Sequence, residues 1–90
     1  MNKPLIIGNW KMNLLVSEAV ELARGIADFV STLSGTRVVL APSFTLLSEV
    51  RNVLLGSNVG LACQNFYFEE SGPYTGEISV TMIKDAGCDF

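Results

Sequence analysis

Asn9 and Lys11 stand two residues apart in the string Gly8-Asn9-Trp10-Lys11-Met12-Asn13, directly after the apolar run Leu5-Ile6-Ile7. An ammonium donates up to three hydrogen bonds and sets a full positive charge beside an oxygen that gains negative charge during a reaction, while a carboxamide donates and accepts without titrating. Together they suit a small anionic or carbonyl-bearing molecule. By position alone the pair reads equally as a solvated surface charge and a turn-forming asparagine, the commoner setting for these residue types. Other chemistry is sparse. The chain has no histidine, and Cys63 and Cys88 lack both CxxC spacing and a base to activate a thiol, so no metal site is expected. Both read as buried, reduced cysteines. Glu69, Glu70 and Glu77 share one loop and read as solvated or interface charges.

The elements that must carry Asn9 and Lys11 follow from periodicity. A strand over Leu5–Gly8 delivers the pair to a loop at its carboxyl end, where βα folds bind ligands because the loops there are free to converge. A helix over Ser17–Leu33 follows, with Ser17 as its N-cap and Ala19, Leu22, Ala23, Ile26, Val30 and Leu33 as its apolar face. Val38, Val39 and Leu40 form a second strand that runs through Ala41-Pro42-Ser43 into a helix over Thr45–Leu55. Ser43 is a candidate cap at its start and Gly56 at its end. A third strand over Val59–Cys63 leads into the connection Gln64–Ile78, then a helix over Ser79–Ala86, then Gly87. Another strand is expected to begin at Cys88. The unit length is about thirty residues, as in parallel βαβ crossovers.

Strands that are apolar throughout predict burial on both faces and hence a parallel sheet. Apolar residues make up 49% of the 90 and charged residues only 17%, with mean hydropathy +0.39, which is greasy for one small domain exposing so much surface. The excess fits a sheet with faces and edges still to be covered. An eight-unit barrel needs ~250 residues, so this chain would supply about three of its units as a single incomplete domain over residues 1–90. A doubly wound open sheet is the runner-up, although the first loop lacks the GxGxxG expected of a dinucleotide fold. The net charge of −3 and pI near 4.6 argue against nucleic acid. No stretch is long and apolar enough for a membrane span, nor does the start read as a signal peptide, so a cytoplasmic protein is expected.

Gln64–Ile78 is long for an α/β connection, for which roughly two to six residues are usual. Phe66, Tyr67, Phe68 and Tyr74 argue against disorder, since so much aromatic surface is costly to leave in water. Two readings stay open: a rigid finger that packs into another surface, or aromatics folded back on their own domain.

The strings Asn9-Trp10-Lys11-Met12-Asn13, Ala41-Pro42-Ser43, Gln64-Asn65 and Thr75-Gly76-Glu77-Ile78-Ser79, with Met82-Ile83-Lys84-Asp85, resemble the triosephosphate isomerase family in order and spacing. The likeness covers the whole chain. It implies a (β/α)8 barrel that isomerises triose phosphates through an enediolate, without metal or organic cofactor, as a homodimer. It further implies that Lys11 is catalytic, that Asn9 and Lys11 bind substrate, and that Gln64, Asn65, Thr75, Gly76 and Glu77 belong to the subunit interface. In that family the histidine and the glutamate base lie beyond the point corresponding to Phe90. The 90 residues alone are therefore expected to be inactive. The rival from another class is a non-catalytic module that docks through residues 64–78, and a weaker one is a small independent anion-binding protein.

Overall fold

Three strands pair side by side in sequence order, all parallel, in the computed structural model, which describes residues 3–90. They are β1 (Leu5–Asn9), β2 (Arg37–Ala41) and β3 (Val59–Leu61). The register sets Asn9 opposite Ala41, and Leu40 opposite Gly8 on one side and Leu61 on the other. Parallel neighbours need long crossovers, and α1 (Val16–Val30) and α2 (Leu47–Leu54) provide them. A short helix, α3 (Val80–Asp85), follows β3.

The sheet is packed unequally on its two faces. On the helix side Leu40, Val59 and Leu61 meet Ala19, Ala23 and Val30 of α1, Leu47, Val50 and Leu54 of α2, and Ile83 of α3. Each of the larger side chains contributes about 1.5–3 kcal/mol by leaving water. The other face holds a smaller cluster of Val39, Ala41 and Ala62. Phe90 approaches that face over Gly60, where an added Cβ would come within 2.9 Å of the ring.

The expectation of burial on both faces holds for β2 and fails for β1, whose Leu5, Ile6 and Ile7 are 46%, 57% and 54% exposed. β1 has a strand neighbour on one side only, and none of these three side chains belongs to either core cluster. Alternation is absent because all three side chains are apolar, whichever face they take.

Several boundaries differ from expectation for local reasons. Ser17 does not cap α1. Leu15 is the cap residue, and the Glu18 carboxylate accepts its backbone N–H at 3.0 Å, so a side chain from inside the first turn does the capping. The same helix stops at Val30 and not Leu33, where the Ser31 and Thr32 hydroxyls donate to the carbonyls of Asp28 and Phe29 at 2.6 and 2.7 Å. Leu33, past that end, and Leu22, within the helix, are both exposed, against their assignment to the apolar face.

Ahead of α2 a 3-10 turn spans Phe44–Leu46. Ser43 enters it without a side-chain cap, its hydroxyl lying 3.3 Å from that of Thr45. Gly56, at φ +79, closes the helix as expected of a C-terminal glycine. Strand β3 ends at Leu61, two residues early, although Ala62 N–H still donates to Leu40 O at 2.8 Å. Ser79 caps α3 by accepting the Met82 N–H at 3.2 Å, an arrangement worth about 1 kcal/mol. A strand-like ladder does begin near Cys88, since Phe90 N–H donates to Leu61 O at 3.3 Å and Phe90 O accepts from Cys63 N–H at 3.1 Å.

Candidate functional site

The carboxyl ends of the three strands meet around Lys11. Backbone N–H of Trp10 donates to Ala41 O at 3.1 Å, extending the β1–β2 ladder by one bond, while the indole packs partly against the core. One residue later the chain turns sharply, and Lys11 takes φ +55, in the left-handed region that a lysine adopts rarely. Asn9 Oδ1 accepts the Lys11 N–H at 2.9 Å. This is the local side-chain turn for which asparagine is suited.

From just past the end of β3, Gln64 completes the corner. Its Nε2 donates to Lys11 O at 2.8 Å and to Ala41 O at 2.9 Å. Asn13 Nδ2 donates to Trp10 O at 2.8 Å and closes the loop on its outer side. Asn9, Lys11 and Gln64 are thus brought together by two hydrogen bonds, and a third ties Gln64 to Ala41. The Lys11 side chain is exposed and its ammonium is available to an anion. With Asn9 Oδ1 committed to the backbone, its NH2 group is, among the described residues, the part that can meet a ligand.

The remaining interface candidates lie elsewhere. Asn65, Thr75, Gly76 and Glu77 are exposed on the long connection. Glu77 N–H donates to Tyr74 O at 3.0 Å across a turn in which Gly76 has φ +88. Gly76 suits that position, because a Cβ would be strained there. The connection is tethered at its ends: Tyr67 N–H donates to Ile78 O at 2.8 Å and Tyr67 bridges Ser79 as a parallel strand pair.

The aromatics fold back on their own domain only in part. Tyr67 is half-buried and lies 4.6 Å from the Phe68 ring and 4.8 Å from that of Tyr74, centroid to centroid. Phe66 and Phe68 remain 56% and 77% exposed. Glu70 accepts the Thr81 hydroxyl at 2.6 Å, which ties the acidic part of the connection to α3.

Of the two thiols only Cys88 is buried, and Cys63 is half-buried, which corrects the expectation for the latter. Burial, helped by the neighbouring Cys63 and Asp89, pushes the Cys88 thiol up from 9.0 to about 11. Both cysteines are free, and no group of three or more metal-ligating side chains is gathered among the described residues. No helix among them is long and apolar enough to cross a membrane.

Asn9 and Lys11 are close enough in sequence to be read as a pair, but the contact that holds them is not visible there. Gln64 was assigned to an interface, and nothing in its immediate sequence indicates a carbonyl 53 residues away.

Comparison with known proteins gives one family. Its model, described as triosephosphate isomerase, matches residues 4–90. The triosephosphate isomerase of Geotalea uraniireducens is 50% identical over 88 residues, covering 98% of this chain and 35% of the relative. That of Endomicrobium trichonymphae is 47% identical over 90 residues, covering 100% and 36%. A crystal structure of the Bartonella henselae triosephosphate isomerase superposes with a TM-score of 0.88 at 40% identity, over 97% of this chain and 35% of that one. The chain therefore spans about a third of the length of the curated relatives it matches.

Proposed function

The chain belongs to the triosephosphate isomerase family, and on that premise we propose that it is the amino-terminal third of a (β/α)8 enzyme interconverting dihydroxyacetone phosphate and glyceraldehyde 3-phosphate. The single observation that carries this reading is the corner at Lys11. An exposed ammonium, on a left-handed backbone hydrogen-bonded by Asn9 and Gln64, stands at the carboxyl ends of parallel strands, where such barrels bind substrate.

The reaction moves a proton between two carbons beside a carbonyl. Removing it places negative charge on the carbonyl oxygen, giving an enediolate, and a fixed positive charge nearby lowers the cost of that step. Lys11 supplies the charge to the substrate's oxygens and phosphate. The Asn9 NH2 group donates to a substrate oxygen, while its Oδ1 holds Lys11 in place. The base and the remaining electrophile come from parts of the enzyme outside these 90 residues, and the segment alone is inactive. No metal or organic cofactor enters the scheme.

The enzyme works as a cytoplasmic homodimer. Residues 64–78 form its contact, with Asn65, Thr75, Gly76 and Glu77 facing the partner and the amide of Gln64 turned inward. Exposed Phe66 and Phe68 on the same connection support a docking role for it.

The test is to isolate the native protein from its source, weigh it and assay it. The reading expects a mass near that of ~250 residues, with turnover of triose phosphate unaffected by a chelator. A native chain of 9.7 kDa without turnover would leave the docking role of residues 64–78 as the function.

A further inference from the structure

Gln64 stands just past the end of β3, and its one amide nitrogen serves two carbonyls, Lys11 O at 2.8 Å and Ala41 O at 2.9 Å. Carbonyl oxygens only accept, so the NH2 group must be the end that faces them, and both of its hydrogens are spent. Ala41 O also accepts from Trp10 N–H. One carboxamide therefore joins the chain after β1, the end of β2 and the chain after β3.

The consequence falls on Lys11. Its peptide is held on both sides, the N–H by Asn9 Oδ1 at 2.9 Å and the carbonyl by Gln64. The Lys11 side chain is exposed, so packing does not maintain its φ of +55. Backbone hydrogen bonds must do so. A return to the ordinary right-handed region near −60° would turn the backbone at Lys11 by roughly 115° and redirect its Cα–Cβ bond. An ammonium at the end of a flexible four-carbon stem would then be aimed elsewhere.

We infer that Gln64 is the positioning residue for Lys11: by clamping the Lys11 carbonyl it holds the backbone left-handed and so aims the ammonium at the substrate site. The kinetic half of this inference rests on the isomerase reading, and the conformational half does not.

The experiment replaces Gln64 in the whole enzyme that carries this segment. Gln64→Met keeps the length and removes both donors. The crystal structure of that variant is expected to show Lys11 outside the positive-φ region. At temperatures well below melting, kcat for triose phosphate is expected to fall about tenfold or more. A general structural defect would cost the same in any background. A positioning role must instead vanish once there is no ammonium left to aim, so in a Lys11→Met background Gln64→Met should cost less than about twofold.

Lys11 remaining near φ +55 in the Gln64→Met structure would overturn the inference, as would an equal loss in both backgrounds. Should Gln64→Met fail to fold, Gln64→Leu takes the same measurements, since it keeps apolar bulk there and carries no donor. If the native enzyme turns over no triose phosphate, the isomerase reading fails, and the Lys11 conformation in the variant still decides the positioning.

Discussion

Asn9 Oδ1 accepts the backbone N–H of Lys11 at 2.9 Å, so the first of the two candidate substrate residues builds the backbone turn that presents the second. The asparagine thereby commits one of its two polar atoms to structure, and in the proposed enzyme the other meets the substrate. Asn9→Asp keeps the accepting oxygen and removes the NH2 donor, while adding a negative charge beside a phosphate-bearing substrate. In the whole enzyme this variant should melt within a few degrees of the native protein and yet lose about 10²-fold in kcat/KM, the scale of one oriented donor to a developing oxyanion. Calorimetry and a coupled isomerase assay read the two quantities separately.

A second prediction concerns the thiols. Burial holds the Cys88 pKa at about 11 against an ordinary 9.0. At pH 8 its thiolate fraction is then about 100-fold below that of an ordinary thiol, and alkylation follows the thiolate. Iodoacetamide on the folded protein should label the more exposed Cys63 first and Cys88 slowly, as mass spectrometry of tryptic peptides would show. The linkage has a definite sign. Between pH 9.0 and about 11 the native thiol keeps a proton that the unfolded chain has released. Stability contributed by this group is complete below the lower value and is lost as pH rises to the upper one. Cys88→Ala should therefore lose less of its melting temperature over that window than the native protein does.

The core gives a third. Leu46 is 1% exposed and sits in the cluster that joins α2 to the sheet. Leu46→Ala in the whole enzyme should cost about 2–5 kcal/mol, the range for a buried leucine that leaves a cavity. Urea titration should show a lower midpoint at unchanged slope. A loss under 0.5 kcal/mol, the usual bound for surface positions, would mean that this helix is not packed as described.

Much of this architecture is legible before any coordinates. Apolar runs at Leu5, Val38 and Val59, spaced by amphipathic stretches, are enough to give parallel βα units, because only long crossovers return a chain to a parallel neighbour. Where local residue type misleads, a neighbour decides. Ser17 is a good cap residue by type, yet the Glu18 carboxylate reaches Leu15 first. Leu22 and Ile6 are apolar, but their exposure depends on what lies beside α1 and β1, and periodicity carries no information about that. The site divides in the same way. Asn9 and Lys11 are adjacent enough in sequence to be read as a unit, whereas the Gln64 contact becomes visible only when β3 is laid next to β2.

The most direct test of the central claim is the turnover of triose phosphate by the whole enzyme with Lys11→Met, measured beside the native protein. The variant keeps the stem and removes the charge, and Asn9 and Gln64 still bond its backbone. Folding should be unchanged by circular dichroism, and kcat should fall by about 10³-fold or more, as expected when a fixed charge at a developing oxyanion is lost. A folded variant with near-native turnover would contradict the placement of Lys11 in the active site, and with it the reading of this corner of the sheet.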